Sequence, residues 1–98
     1  MSETSDVSSN KFYVYILYSQ KDKGLYIGYS NNLRSRLSAH ARGEVKSTIN
    51  RRPLKLIHYE YFINIDDAKA REVFLKSGFG RKNLKKALQR TLSQLGIS

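Results

Sequence analysis

The pattern of apolar and polar positions predicts three strands. Residues 12–18, FYVYILY, form an unbroken run of aromatic and aliphatic side chains. Such a run is typical of a strand that is buried on both faces and therefore lies in the centre of its sheet. The turn-forming residues SQKDKG separate it from LYIGYS, residues 25–30, so we expect an antiparallel hairpin. The alternating stretch LKLIHYEYF, residues 54–62, predicts the third strand.

A first helix is predicted directly after the hairpin. It covers roughly residues 32–42 and ends at Gly43, a residue type that commonly follows the last turn of a helix. The candidates for its N-cap are Ser30, Asn31 and Asn32. The next stretch, EVKSTINRRP, predicts a basic loop that is closed by the only proline of the chain.

Two more helices are predicted after the third strand. The sequence NIDD, with Asn64 or Asp66 as the N-cap, begins the second helix, and Ser77-Gly78 ends it. A third, amphipathic helix is predicted from about residue 82, because its apolar residues recur on one stripe. That stripe consists of Leu84, Ala87, Leu88, Leu92 and Leu95. The sequence therefore predicts an α+β fold, a small three-stranded antiparallel sheet flanked by helices.

Length and composition predict one domain. A chain of 98 residues supports a single hydrophobic core, which we expect to span residues 11–98. Residues 1–10 contain acids and hydroxyls without an apolar run and are predicted to form a disordered tail. Cysteine is absent, which excludes disulfides and thiolate zinc sites and favours the cytoplasm. The longest apolar run is far shorter than the ~20 residues of a membrane-spanning helix, and we expect no membrane partner.

The charge of the chain predicts a polyanionic partner. Lys and Arg total 18 against 8 acids, a formal net charge of +10, and nucleic acid is the leading candidate. An anionic membrane is disfavoured because Trp is absent and the basic residues are spread over several segments. The residues predicted to contact nucleic acid are Arg34, Arg42, Lys46, Arg51, Arg52, Arg81 and Lys82. For any one of them, a solvated surface position is an equally good interpretation.

Several polar residues lie at positions that burial alone does not explain. Glu72 follows Ala68 by four residues and precedes Leu75 by three, so it lies on or beside the apolar stripe of the second helix. A carboxylate there requires a partner, either a basic side chain or a metal ion. Arg36 and His40 are one turn apart on the first helix, where they could also form a solvated basic face.

The order and spacing of these residues resemble the GIY-YIG nuclease superfamily. The resemblance covers about residues 11–84 and rests on Tyr13-Val14-Tyr15, Tyr26-Ile27-Gly28, Arg36, His40 and the Glu72 of KAREVFLKSG. Tyr13 occupies a position where the first motif usually has glycine, and Asn83 falls in the region of a late family asparagine. The superfamily includes the nuclease subunit of bacterial excision repair, phage-intron homing endonucleases and small stand-alone proteins. This chain is most similar to the stand-alone group.

The resemblance implies a metal-dependent endonuclease that hydrolyses phosphodiester bonds, with DNA favoured over RNA and DNA repair as one suggested role. It implies that Glu72 binds the metal ion and that Arg36 contacts the scissile phosphate. Tyr26, or with less support Tyr15, would accept the proton of the attacking water, and His40 would relay that proton or hold the tyrosine. Taken singly, each tyrosine is equally compatible with a place in the core.

The acidic residues favour one divalent cation, Mg²⁺ or Mn²⁺. Two-metal nuclease sites need several converging carboxylates, but Asp66 and Asp67 lie at the start of the helix that carries Glu72. One carboxylate, water and a phosphate oxygen are sufficient for Mg²⁺. A partner protein could supply target specificity. The alternative hypothesis is a catalytically weak, basic nucleic-acid-binding module on the same fold.

Overall fold

The three predicted strands form one antiparallel sheet in the computed structural model, which describes residues 11–96. Strand β1 spans Phe12–Ser19, β2 spans Leu25–Ser30 and β3 spans Leu54–Phe62. The strand order is β2-β1-β3, and β1 is antiparallel to both neighbours. This arrangement confirms the α+β class, the hairpin and the central position of β1. The predicted tail, residues 1–10, lies outside the described residues.

Four α-helices surround the sheet within the part of the chain that the structure describes. They are α1 (Leu33–Ala41), α2 (Ile65–Lys76), α3 (Gly78–Ala87) and α4 (Gln89–Gln94). A 3₁₀ turn, Ile49–Arg51, lies in the basic loop. None of the helices among residues 11–96 has the length and apolar character needed to cross a membrane.

The C-terminal part of the chain differs from the prediction of one long helix from about residue 82. Helix α3 begins four residues earlier, because the Ser77 side chain accepts a hydrogen bond from the Gly80 amide and caps it. The chain leaves helical geometry at Leu88 (φ −103°, ψ 19°), and α4 starts after it. Leu84 and Leu92 are buried as the stripe predicts, but Ala87 is exposed.

Asparagine side chains start the two helices that flank the sheet. Asn32, one of three candidates, accepts a hydrogen bond from the Ser35 amide. Asn64, rather than Asp66, caps α2 by accepting from the amides of residues 66 and 67. An extended asparagine satisfies amides that have no partner within the helix, so each cap determines where its helix begins.

Alternation along β1 divides the molecule into two sides. Val14 and Ile16 face α2 and α3, where they pack with the other core residues, Ile27, Ala68, Leu75 and Leu84. Tyr15 and Leu17 point to the opposite face, where α1 covers Leu17. The structural core therefore lies on one side of the sheet and Tyr15 lies towards the other, whereas Glu72 is carried by α2 on the core side.

The basic loop is attached to the hairpin turn by polar contacts. The buried Ser19 hydroxyl donates to the carbonyl oxygen of Arg51 over 2.6 Å, and the Gln20 amide donates to Pro53. The Arg51 guanidinium forms a bidentate pair with Asp22, at 2.6 and 3.1 Å. These contacts hold the loop against the sheet end where β1 meets β2.

The Tyr15 ring lies directly over a glycine of the neighbouring strand. Tyr15 and Gly28 are cross-strand partners, and a Cβ built on Gly28 would be 2.5 Å from the Tyr15 hydroxyl oxygen. Any side chain at residue 28 would therefore push the tyrosine ring out of its place. The glycine of the YIG motif is required by this close approach of ring and backbone.

We expect Gly28→Ala to lower the free energy of unfolding by about 1–3 kcal/mol, the usual cost of overpacking a buried position. Gly78→Ala is the matched control, because a Cβ at Gly78 meets no atom within 4 Å. Urea unfolding of both variants measures the difference. Equal stability of the two variants would contradict the proposed role of the Tyr15–Gly28 contact.

Candidate active site

A chain of three buried polar side chains links the sheet, α1 and the basic loop. The Tyr15 hydroxyl lies 2.7 Å from His40 Nε2, and His40 Nδ1 lies 2.7 Å from Thr48 Oγ1. All three residues are almost inaccessible to solvent. Each polar atom in the chain is satisfied by its neighbour, which removes the penalty of burying it.

The Thr48 hydroxyl indicates the direction of the hydrogen bonds. It donates to the carbonyl oxygen of Val45 at 3.5 Å, so its oxygen is free to accept from His40 Nδ1–H. His40 Nε2 is then the acceptor for the Tyr15 hydroxyl. Burial and, secondarily, the Arg36 cation lower the pKa of His40, which agrees with a neutral imidazole.

Tyr15 remains protonated in this environment. Burial raises the pKa of Tyr15 to about 12, and the negative charges of Tyr26, when ionised, and Glu72 add to this shift. The Arg36 guanidinium acts in the opposite direction without reversing it. Tyr15 is therefore a stable hydrogen-bond donor to His40.

Tyr26 lies beside this chain but in a more accessible position. Its ring centroid is 5.2 Å from that of His40 and 6.3 Å from that of Tyr15. It is half-buried, and its hydroxyl accepts a hydrogen bond from the exposed Ser47 side chain at 3.4 Å. The pKa of Arg51 is raised mainly by Asp22 and also by Tyr26, so the Arg51 cation lies near the Tyr26 hydroxyl as well.

Arg36 and Glu72 bring opposite charges to the same region from two helices. Arg36 is exposed on α1, one turn before His40, and its cation influences the pKa of both His40 and Tyr15. Glu72 on α2 is close enough for its charge to influence Tyr15. Its carboxylate pairs with Lys76 Nζ at 2.7 Å, and its side chain is 21% exposed. The structure thus groups the rings of Tyr15, Tyr26 and His40, and the charges of Arg36 and Glu72 act on Tyr15 from α1 and α2.

The acidic residues of this region suit one cation at most. Among residues 11–96, no three or more His, Cys, Asp or Glu side chains cluster as metal ligands. Glu60, on β3, is held by Arg71 at 2.8 Å and by His58 at 3.1 Å. Glu72 is the remaining carboxylate near the tyrosines, and it fits a hard cation that takes its other ligands from water and substrate phosphate.

The basic residues predicted to contact nucleic acid fall into two groups. Three of them have partners within the fold: Arg42 pairs with Glu44, Arg51 pairs with Asp22, and Arg52 donates to backbone carbonyls of the loop and of α1. The other four are exposed: Arg34, Lys46, Arg81 and Lys82. Within residues 11–96 the second group forms no ion pair that the binding of an anion would break.

Arg51 and Arg81 also line a basic cleft that the sequence analysis did not identify. The cleft has a volume of about 490 Å³ and lies between the hairpin turn and helices α3 and α4. Lys23 and Lys85 complete its cationic lining, with Leu25 and Leu92 among its apolar residues. No periodic signal connects these segments, so only the packing of α3 against the hairpin reveals the cleft.

Thr48 was also missed as a member of the candidate site. The sequence predicts no partner for His40 on its Nδ1 side. The loop contacts to Ser19 bring Thr48 there, eight residues after the histidine. A buried threonine next to a helical histidine gives no distinctive pattern in a single sequence.

The fold and the arrangement of these side chains define a GIY-YIG catalytic domain, and the model of that domain family matches residues 11–86. The chain belongs to the GIY-YIG family, whose domains are generally nucleases. Within the family it is similar to UPF0213 proteins. It is 46% identical over 65 residues to a UPF0213 protein from Clostridium perfringens. This match covers 65% of this chain and 69% of that protein.

Two further UPF0213 proteins extend this similarity over more of the chain. A UPF0213 protein from Pediococcus acidilactici is 41% identical over 81 residues, which cover 80% of this chain and 82% of the relative. The solution NMR structure of the UPF0213 protein BH0048 from Bacillus halodurans has a TM-score of 0.51 and 31% identity. The match covers 79% of this chain and 84% of that one. Sequence and fold thus agree on the family.

We expect the stability of the protein to fall as pH drops below about 6.5. The pKa of His40 is lower in the folded state than in the unfolded chain, so between these two values the unfolded state binds more protons. Stability therefore rises with pH through this window, by at most about 1.4 kcal/mol per pH unit. The carboxylates whose pKa is lowered titrate at lower pH.

Urea unfolding between about pH 7.5 and about pH 5.5 measures this dependence. His40→Gln should be less stable at the higher pH but should lose the slope. His58→Gln is the matched control, because His58 is on β3 and has no contact with Tyr15 or Thr48 among its hydrogen bonds. A slope that disappears in His58→Gln and persists in His40→Gln would refute the assignment.

Proposed function

We propose that the protein is a metal-dependent endonuclease that hydrolyses phosphodiester bonds in DNA. The observation that carries this proposal is the convergence of an accessible phenol, an exposed guanidinium and a carboxylate around a buried, neutral tyrosine–histidine pair. These are Tyr26, Arg36 and Glu72 around Tyr15 and His40. Packing of a hydrophobic core does not require these polar side chains. Hydrolysis of a phosphodiester, in contrast, requires a proton acceptor and cations near the phosphate.

Tyr26 is the better candidate for the group that accepts the proton of the attacking water. Its hydroxyl is accessible, whereas Tyr15 is buried, protonated and already committed to His40. A phenol accepts a proton in its ionised form, which nearby cations favour, and Arg51 supplies one such cation. Tyr15 and His40 would then fix the position of the Tyr26 ring by packing against it, with ring centroids 6.3 and 5.2 Å away.

Arg36 and Glu72 would act on the scissile phosphate. Arg36 offers a permanent cation whose planar fork suits two phosphate oxygens. Glu72 would hold one divalent cation, Mg²⁺ or Mn²⁺, which when bound supplies positive charge to the phosphate during hydrolysis. Lys76 would have to release the Glu72 carboxylate for this to happen, and as an exposed ion pair the two residues separate at small cost.

The exposed cations and the basic cleft would bind the phosphates that flank the cleaved bond. A net charge of +10 favours association with DNA in any sequence and makes affinity depend on salt. The structure of the nucleic acid, or a partner protein, would then direct cleavage.

One observation favours the alternative of a catalytically weak binding module. The Glu72–Lys76 ion pair satisfies the carboxylate without a metal ion, as a purely structural interpretation requires. A module of this kind would bind DNA through the same basic residues but would gain nothing from Mg²⁺. The two proposals therefore differ in whether the Glu72 carboxylate binds a metal ion.

We expect Tyr26→Phe to reduce the cleavage rate by about 10² or more while folding and DNA binding change little. The substitution removes only the accessible hydroxyl and keeps the ring against His40. Tyr15→Phe should instead lower stability, because it removes the buried donor to His40. Single-turnover cleavage and urea unfolding of both variants distinguish the roles. Full activity of Tyr26→Phe would exclude Tyr26 as the proton acceptor.

We expect Glu72→Gln to abolish Mg²⁺-dependent cleavage and Mg²⁺ binding. DNA affinity should persist or rise, because one negative charge near the phosphates is lost. Lys76→Gln is the matched control: it breaks the same ion pair but leaves the carboxylate free, so metal affinity should be retained or increased. Calorimetric titration with Mg²⁺ and cleavage of branched, flapped and duplex DNA with and without chelator provide the measurements. Undiminished cleavage by Glu72→Gln would refute the mechanism.

A further inference from the structure

The sheet face that carries Tyr15 continues beyond it as a group of three tyrosines. Tyr13 precedes Tyr15 by two residues on β1, and on β3 Tyr61 and Tyr59 are the cross-strand partners of Tyr13 and Tyr15. Alternation therefore directs all four side chains to one face. We call Tyr13, Tyr59 and Tyr61 the tyrosine platform. It adjoins the candidate active site on the β3 side.

The two outer rings of the platform are exposed to an unusual degree for residues in a sheet. Tyr59 is 51% exposed and Tyr61 is 42% exposed. The half-buried Tyr13 ring packs against both of them, with centroids 5.9 Å away at 64° and 5.6 Å away at 48°. The first contact is edge-type and the second is tilted, and together they support the outer rings from one side and leave aromatic surface open to solvent.

The two exposed rings of the platform lie on β3, an edge strand whose one acidic residue, Glu60, points to the opposite face. Edge strands are commonly protected by charged side chains, but β3 presents tyrosines here. Glu60, between the two exposed rings in sequence, points to the opposite face, where Arg71 and His58 hold its carboxylate. Among the described residues of β3, the platform face carries no carboxylate, and such an aromatic surface on a protein of net charge +10 is complementary to the bases and phosphates of a nucleic acid.

We propose that the tyrosine platform stacks unpaired bases of the strand whose backbone enters the candidate active site. This inference rests on the proposed function and names its substrate class: a nucleic acid with an unpaired segment beside the cleaved bond. Exposed aromatic rings on a sheet bind single strands in this way, with little dependence on sequence.

The geometry of β3 favours an unpaired strand over a duplex. In a duplex the base faces are covered by neighbouring bases at a rise of about 3.4 Å per nucleotide. Tyr59 and Tyr61 are two residues apart on one strand face, so their separation is about 6.8 Å. Rings at that spacing match bases that are splayed apart along an extended backbone, and they have no access to the bases inside a helix.

A fluorescent reporter tests the stacking directly. The chain contains no Trp, so Tyr61→Trp places the only indole in the platform. With chelator present to prevent cleavage, single-stranded oligo(dT) should quench this fluorescence, and a blunt duplex should quench it much less. Inorganic polyphosphate of matched charge should bind the protein without quenching. Equal quenching by polyphosphate, or no quenching by a bound single strand, would overturn the proposal.

Variants at the exposed positions test the contribution to binding. Tyr59→Ala and Tyr61→Ala should each weaken single-strand affinity by at least about fivefold, with the salt dependence unchanged, because the phosphate contacts remain. Tyr59→Phe and Tyr61→Phe keep the rings and should retain affinity. Phe79→Ala is the matched control, since Phe79 is an exposed aromatic residue on α3 (72% exposed) away from the platform. Unchanged affinity in both alanine variants would overturn the inference.

Two outcomes separate this inference from the proposed function. Platform-dependent single-strand binding by a protein that does not cleave with Mg²⁺ would support the platform and refute the endonuclease. Cleavage of single-stranded DNA by the Tyr59→Ala/Tyr61→Ala double variant at the parent's kcat/KM, with the parent's preference over duplex intact, would support the endonuclease and refute the platform. Size-exclusion chromatography adds a third test: a change of oligomeric state in the double variant, with DNA affinity unchanged, would identify the platform as a contact between two copies instead.

Discussion

The hydrogen bond between the Tyr15 hydroxyl and His40 Nε2 is the contact around which the rest of the candidate site is organised. It joins the central strand to α1, and Thr48 extends it to the basic loop. Tyr15 reaches His40 only because Gly28 leaves room for its ring on the neighbouring strand. Within residues 11–96, no buried side-chain nitrogen or oxygen lacks a partner, so this network is fully satisfied.

The neutral Tyr15–His40 pair lies in the interior of the candidate site, and the charged side chains lie nearer to its surface. Burial keeps Tyr15 protonated and His40 uncharged, so the interior of the site holds a donor and an acceptor without net charge. The charged side chains, Arg36 and Glu72, lie further out, where water, ions and phosphate can reach them. A buried charge would be neutralised by a pKa shift or would need its own partner. The arrangement therefore leaves charge available to a ligand without a cost in stability.

The register of β1 assigns stability and chemistry to opposite faces of one sheet. Val14 and Ile16 contribute to the core against α2 and α3, whereas Tyr13 and Tyr15 face the other way. A shift of the strand pairing by one residue would turn the core side chains towards the site and the tyrosines towards the core. The pairing of Tyr15 with Gly28 fixes the register and so keeps each set of side chains on its own face. The candidate active site and the tyrosine platform are continuous because they share this face.

The sequence by itself determined the strands, the hairpin, the central place of β1 and the family resemblance, because periodicity, caps and motif spacing are local properties. It did not reveal the interruption at Leu88, since the apolar stripe continues through that residue. Tertiary structure alone decided that Tyr15 is buried and Tyr26 accessible, although both are tyrosines in paired strands. It also decided that Thr48 meets His40 and that the exposed rings of β3 adjoin the site. Such contacts depend on strand order and loop packing, which join residues that no sequence period connects.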